Sequence, residues 1–166
     1  MRLLLVAAVA AVVAAGIALA IRLYMSRAAE DRLAAAEDVA IAALRPPLPA
    51  NGFLACPAGD CPVAGGGAAP VLAMPEARLR QCWDRLIAGE SGVVRVAGDA
   101  GRAVYIQHTP LLRFPDIVTV EFVALGPDRS SLRLYSRARY GRADFGTNRR
   151  RVERWLGRLQ AIAAGD

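Results

Sequence analysis

The sequence predicts an α+β domain: a four-stranded antiparallel sheet with two helices on one face, in the order helix, four strands, helix. An N-terminal transmembrane helix precedes it. Three observations predict this. Residues 79–87 and 152–162 place apolar side chains at helical spacing. Between them, residues 92–140 hold four strand-like runs joined by turn residues. Ahead of both, residues 3–21 carry no charge and are bracketed by Arg2 and Arg22.

The uncharged stretch comes first. At about 1.5 Å per residue, a helix of that length just spans a hydrocarbon core of roughly 30 Å. A cleavable signal peptide is the rival reading, because Ala18-Leu19-Ala20 has the small-x-small form of a cleavage site. The thin basic start and the long apolar run favour an uncleaved signal anchor over residues 1–23. Gly16-x-x-x-Ala20 is a weak motif for helix pairing. The expected location is a single pass in a bacterial inner membrane with the domain in the periplasm.

Orientation is drawn both ways. Arg22, Arg27 and Arg32 follow the span and argue for a cytoplasmic domain. Cys56 and Cys61 argue for an oxidising compartment, because Pro57 and Gly59 between them can bring the two sulfurs together. A zinc site would need two more ligands, and the chain offers Cys82 and His108. Cys82 shares a helix face with Leu79, Trp83 and Leu86, which makes it a buried small hydrophobe.

Residues 24–44 read as a juxtamembrane helix, ended by the proline cluster at 46–49. Residues 45–74 hold six of the ten prolines and the run Gly65-Gly66-Gly67, and read as an extended linker carrying the cysteine pair. The α+β domain is expected over 75–166. Pro75 suits the start of its first helix, Leu79, Cys82, Trp83, Leu86 and Ile87 form the stripe, and Gly89 ends it.

The strands follow in two hairpins. Residues 92–97 and 103–109 flank Asp99-Ala100-Gly101, and 117–125 and 131–140 flank Gly126-Pro127-Asp128-Arg129. Val118, Val120, Phe122 and Ala124 alternate inward with Leu132 and Leu134. Thr119, Glu121, Tyr135, Arg137 and Arg139 take the other face. The last helix covers 148–163, with Val152, Trp155, Leu156, Leu159 and Ile162 as its apolar stripe and Thr147 or Asn148 as N-cap.

Charge is concentrated near the C-terminus. All basic residues other than His108 are arginine. Residues 129–158 hold ten arginines against Asp144 and Glu153, a net +8, whereas the remaining eleven arginines and thirteen acids leave −2. A patch of this kind points to an anionic partner.

The densest motif lies inside that patch. Ser136, Arg139, Gly141, Asp144, Gly146, Asn148, Arg151, Val152 and Glu153 meet the pattern S-x-S-R-x-G-x-x-D-x-G-x-N-x-x-R-[VI]-E, with Ala138 at the second serine. The chain thereby resembles the domain of unknown function 1499 family. Weaker likenesses lie upstream. Cys56-Pro57 and Asp60-Cys61 resemble its C-P…N-C segment, and Phe114-Pro115-Asp116 with 118–122 resembles its F-x-D-D-V-x-F stretch, one aspartate missing. The resemblance, over residues 54–160, implies a fold and a set of marked residues; it implies no reaction, because the family has no established activity.

Physically the motif is a strand-to-helix junction. Gly141 and Gly146 permit tight turns. The helix that starts near Asn148 presents N–H donors and a positive dipole end, with Arg139, Arg142, Arg149 and Arg150 around it. Arg139, Arg142, Asn148, Arg149 and Arg150 are therefore the candidate anion-binding residues. In the other reading, Ser136, Gly141, Asp144, Gly146 and Arg151 are structural: Asp144 occupies the helix N-terminus itself and pairs with Arg151 or Arg139.

Catalytic signatures are weak. His108 is the lone histidine, no serine has a nucleophile-elbow context, and the motif holds no pair of carboxylates. No catalytic residue, metal or cofactor is expected. Two function classes remain. One is a non-enzymatic, membrane-tethered module that binds an anionic lipid, cell-wall polymer or acidic protein through the 133–151 arginine surface. The other is an enzyme with a site around Arg139, Asp144 and Asn148, joined by His108. Nucleic acid is disfavoured by the envelope location and by a stacking series limited to Tyr135 and Tyr140.

Overall fold

The computed structural model describes residues 2–36, 40–63, 66–111 and 113–165, with side chains in the first helix described for residues 6–24. Residues 37–39, Gly65, and the side chains of Arg2, Arg27 and Arg32 lie outside the described set.

Helix α1 covers Arg2–Ala36. Within it, Val6–Tyr24 is long and apolar enough to cross a membrane, with none of that stretch buried against the protein. The helix continues without a break into the expected juxtamembrane segment. That segment then ends in a single 3₁₀ turn, Ile41–Ala43.

The domain contains helices α2 (Glu76–Ala88) and α3 (Thr147–Ala164) and six strands. The strands are β1 (Gly52–Cys56), β2 (Gly67–Ala68), β3 (Val93–Gly98), β4 (Arg102–His108), β5 (Pro115–Gly126) and β6 (Arg129–Ala138). Their order across the sheet is β2-β1-β6-β5-β4-β3. Strands β1 and β2 are parallel; every other neighbouring pair is antiparallel.

The sheet is thus mixed and six-stranded rather than antiparallel and four-stranded. The two extra strands come from residues 45–74, which read as a linker. The reason is long-range pairing. β1 sets Leu54 opposite Tyr135 and Ala55 opposite Leu134 on β6, a partnership that local periodicity cannot reveal.

Both helices pack on one face of the sheet. Leu79, Trp83 and Leu86 from α2 and Val152, Trp155 and Leu159 from α3 meet Tyr105, Val118, Val120 and Leu134 in one core. Trp83 and Trp155 sit edge to face at 5.8 Å, and the Trp83 indole N–H donates to the Tyr105 hydroxyl at 3.0 Å.

The opposite face is also covered. Ile41, Leu54, Cys56, Val63 and Tyr135 form a second cluster on it. The segment 41–63 is the cover, and three polar contacts fasten it. Glu121 accepts from the Ile41 N–H at 2.7 Å, and Arg133 bridges Glu121 at 3.0 Å and Asp60 at 2.7 Å. Cys56 and Cys61 are joined by a disulfide that closes the loop bearing Asp60. Cys82 lies outside the disulfide, fully buried on α2.

Candidate functional site

The inward row of the sheet turns polar at one end. Ser136 lies opposite Val118, and Asp116 opposite Ala138, so both continue the face that buries Val118 and Val120. On α3, Asn148 and Arg151 lie about one turn before Val152 and Trp155 and extend the buried stripe. All four side chains are buried where sheet and helix meet.

These groups satisfy one another. Arg151 donates to Asp116 Oδ2 at 2.5 Å through Nη2, and through Nη1 to Ser136 Oγ at 2.9 Å and Asn148 Oδ1 at 2.5 Å. The Ser136 hydroxyl donates to Asn148 Oδ1 at 2.6 Å. Asn148 Nδ2 donates to the Asn51 carbonyl at 3.0 Å and to Asp144 Oδ2 at 2.8 Å. Asn51 Nδ2 donates to the Gly141 carbonyl at 2.7 Å. One chain of bonds therefore ties the β1 entrance, β5, β6 and α3 together.

Asp144 completes the network from the loop before α3. Its Oδ2 accepts the Asn148 N–H at 2.7 Å and its Oδ1 the Gly146 N–H at 3.0 Å. Asp144 thus occupies the helix N-terminus with its own charge. The expected cap, Thr147 or Asn148, is replaced by Gly146 at the cap position, with φ +76°, and by this carboxylate. The left-handed φ values of Gly141 and Gly146 let the loop fold back far enough to place it.

The two carboxylates are tuned in opposite directions. Burial pushes the Asp116 carboxyl up, and the Arg151 guanidinium offsets part of that rise. Burial also acts to raise Asp144, but hydrogen bonds from the Asn148 and Gly146 N–H groups outweigh it, and its carboxyl lies below the ordinary aspartate value.

The structural group expected from the sequence is brought together, with one correction. Arg151 pairs with Asp116 and not with Asp144, because β5 carries Asp116 inward beneath the guanidinium while Asp144 turns to the helix end. The anion-binding set is dispersed. Asn148 is fully buried with both its amide hydrogens and its oxygen engaged, so it does not face an outside anion. Arg149 bonds Glu153 at 2.8 Å and stands over the Phe53 ring, and Arg150 donates to the Phe145 carbonyl at 2.9 Å. Arg139 lies over the Tyr140 ring at 5.7 Å, and Arg142 is exposed in the loop. Arg133, at the start of the expected surface, is held by Asp60 and Glu121.

Asp116 and Asn51 are the members the motif did not supply. Asp116 had a signal: it sits two residues before Val118, in phase with the inward row. Asn51 had none, since its place depends on the β1–β6 pairing.

Two cavities flank the Arg151–Asp116 pair. One, of about 380 Å³, has Asp116 and Asp144 on its wall among Phe114, Ala138, Tyr140 and Phe145. The other, of about 360 Å³, is lined by Gln107, His108, Arg113, Arg151 and Arg154. His108 is buried at 2% exposure. Among the described residues no cluster of three His, Cys, Asp or Glu side chains is placed to hold a metal ion.

A model of the family described as Protein of unknown function (DUF1499) matches residues 71–159. The matched range contains α2, strands β3 to β6 and most of α3. Asp116, Ser136, Asp144, Asn148 and Arg151 all lie in it, whereas β1 and the cysteine pair precede it. No curated protein matches the chain. With more than half of its length in that match and the signature folded into one buried network, the chain belongs to the DUF1499 family of unknown function.

Proposed function

We propose that this is a non-enzymatic binding module, held to a membrane by α1 and facing the periplasm, that recognises an anionic partner through arginines at the β6–α3 end. One observation carries the reading. The signature's buried polar groups are turned inward on one another, while the arginines of the same segment are arrayed outside. A closed network of this kind supplies shape, and the outer arginines supply charge. The partner class is an anionic lipid, a cell-wall polymer or an acidic protein. The Cys56–Cys61 disulfide supports the periplasmic side, since such bonds persist in oxidising compartments.

The test is salt-dependent binding of residues 40–166 to anionic vesicles. This fragment keeps β1, which a cut at residue 70 would remove together with Asn51. Binding that weakens steeply with ionic strength, and weakens further in Arg142→Ala, is the expected result. Retention that ignores both salt and Arg142 would remove the anionic partner.

An enzyme built around Arg139, Asp144 and Asn148 has one observation in its favour: Asp144 borders a cavity. The hydrogen bonds weigh against it. Asp144 already accepts three, and its lowered pKa makes it a weak base. Turnover lost in Asp144→Asn while folding is kept would favour the enzyme.

A further inference from the structure

The end of the sheet that carries the signature also carries, among the described residues of the domain, the most exposed large apolar side chains. Phe145 is 90% exposed, Leu111 78% and Tyr140 49%. Leu111 lies in the turn between β4 and β5, and Tyr140 and Phe145 in the loop between β6 and α3. Both segments line the 380 Å³ cavity, Thr109 and Phe114 from one and Tyr140 and Phe145 from the other. An exposed apolar patch of this kind marks an interaction surface.

Backbone strain falls at the same end. Among the described residues, the non-glycine positions with positive φ are Arg113, at +55°, and Phe145, at +52°. One is in each of the two segments. A bulky side chain in the left-handed region is unfavourable and persists where its surroundings hold it. At Phe145 the fold holds the ring out in solvent, and Arg150 fixes the residue's carbonyl at 2.9 Å.

The anchor indicates what covers this patch. Arg22 is the first charge after the apolar stretch, and so marks where α1 leaves the hydrocarbon. Its Nη1 donates to the Leu111 carbonyl at 3.3 Å. The β4–β5 turn therefore lies at the level of the span's end, with the exposed aromatics beside it. The Arg139 guanidinium over the Tyr140 ring adds the aromatic and cationic pairing suited to a head-group layer.

We propose that the β4–β5 turn and the β6–α3 loop form a bilayer-docking tip, in which Leu111, Tyr140 and Phe145 seat in the head-group region of the leaflet from which the domain emerges. The occupant is the lipid surface itself. Docking at two places, the span and the tip, fixes the tilt of the domain and turns its cavity towards the bilayer. The inference rests on membrane anchoring by α1 and is independent of the anionic partner.

The test uses the full chain in nanodiscs. Cys82 is buried and Cys56 and Cys61 are bonded to each other, so an introduced thiol labels selectively. Leu111→Cys and Phe145→Cys carry an environment-sensitive fluorophore, and Asp128→Cys at the opposite end of the sheet is the control. The expected result is blue-shifted emission at 111 and 145, quenched several-fold more strongly than at 128 by phospholipid with a head-group nitroxide. Adding Phe145→Asp to the chain labelled at 111 should return that label's emission towards the aqueous value. Equal, water-like emission at all three positions overturns the proposal, including the case in which a protein partner covers the patch instead. Failure of the chain to enter nanodiscs overturns the anchor, and this inference with it. Strong quenching that persists in wholly zwitterionic lipid upholds the tip even where the anionic reading has failed.

Discussion

Asp144 holds Asn148 twice: its Oδ2 accepts the Asn148 backbone N–H at 2.7 Å and the side-chain Nδ2 at 2.8 Å. The same carboxylate therefore starts α3 and orients the amide that joins Ser136 to Arg151. Replacing Asp144 with alanine removes a cap worth about 0.5–2 kcal/mol and also loosens Asn148. We expect a loss of about 2 kcal/mol, at the top of that range, in chemical denaturation. A loss no greater than that of an exposed loop substitution would show that the network does not depend on it.

The Asp144 cap also has a pH signature. Its folded pKa lies below the ordinary aspartate value of 3.8, so the native state favours the carboxylate. Its contribution is complete above that value and disappears as pH falls through the lower, folded one. Asp116 has the opposite sign. Its folded pKa is raised, so its ionised burial weakens the fold above the raised value, and that cost is relieved as pH falls towards 3.8. Denaturation across acid pH should show Asp144→Asn converging on wild type as pH drops below about 3.8. A gap that stayed constant with pH would mean that Asp144 is not held as a carboxylate.

The native protein should offer no thiol to alkylation, and the unfolded, unreduced protein one, Cys82. Cys56→Ser with Cys61→Ser should lower stability by about 2–3 kcal/mol at most, because the closed loop is short. Its effect should centre on the Asp60–Arg133 contact and the cover over the second face, not on the core between the helices. Three reactive thiols in the unfolded, unreduced protein would remove both the bond and the argument for an oxidising compartment.

Arg142→Ala and Arg150→Ala should change stability by less than about 1 kcal/mol, since exposed charges contribute little to folding. Trp155→Ala should cost about 3–5 kcal/mol as a core truncation. The contrast, read in one denaturation series, separates the outer arginines from the scaffold. A large loss in Arg142→Ala would place that side chain in the scaffold too.

Much of the fold was legible because its signals are local. The stripe of α2, the stripe of α3 and the alternation through β5 and β6 each recur within a dozen residues, and each packs as its period requires except at Ala124, which the outer end of β5 leaves exposed. β1 and β2 were missed for the opposite reason. They are short and lie among prolines and glycines; β1 exists through pairing to β6 some eighty residues away, and β2 through pairing to β1. The signature was legible as a junction, but the ion pair inside it was not. Two residues before Val118 the inward row reaches Asp116, where an acid replaces the apolar side chain and meets Arg151. Polar residues in phase with a core face were the available sign of the buried network.

Arg151 and Asp116 form the centre of a buried structural lock. A double-mutant cycle measures their coupling. Arg151→Ala and Asp116→Ala should each cost about 3–5 kcal/mol, because each strands a buried partner. The double mutant should recover at least about 1 kcal/mol relative to the sum of the singles, as directly bonded residues do. Strict additivity would contradict the lock, and would leave Asp116 and Arg151 as separate groups, each available to a ligand in the cavity beside it.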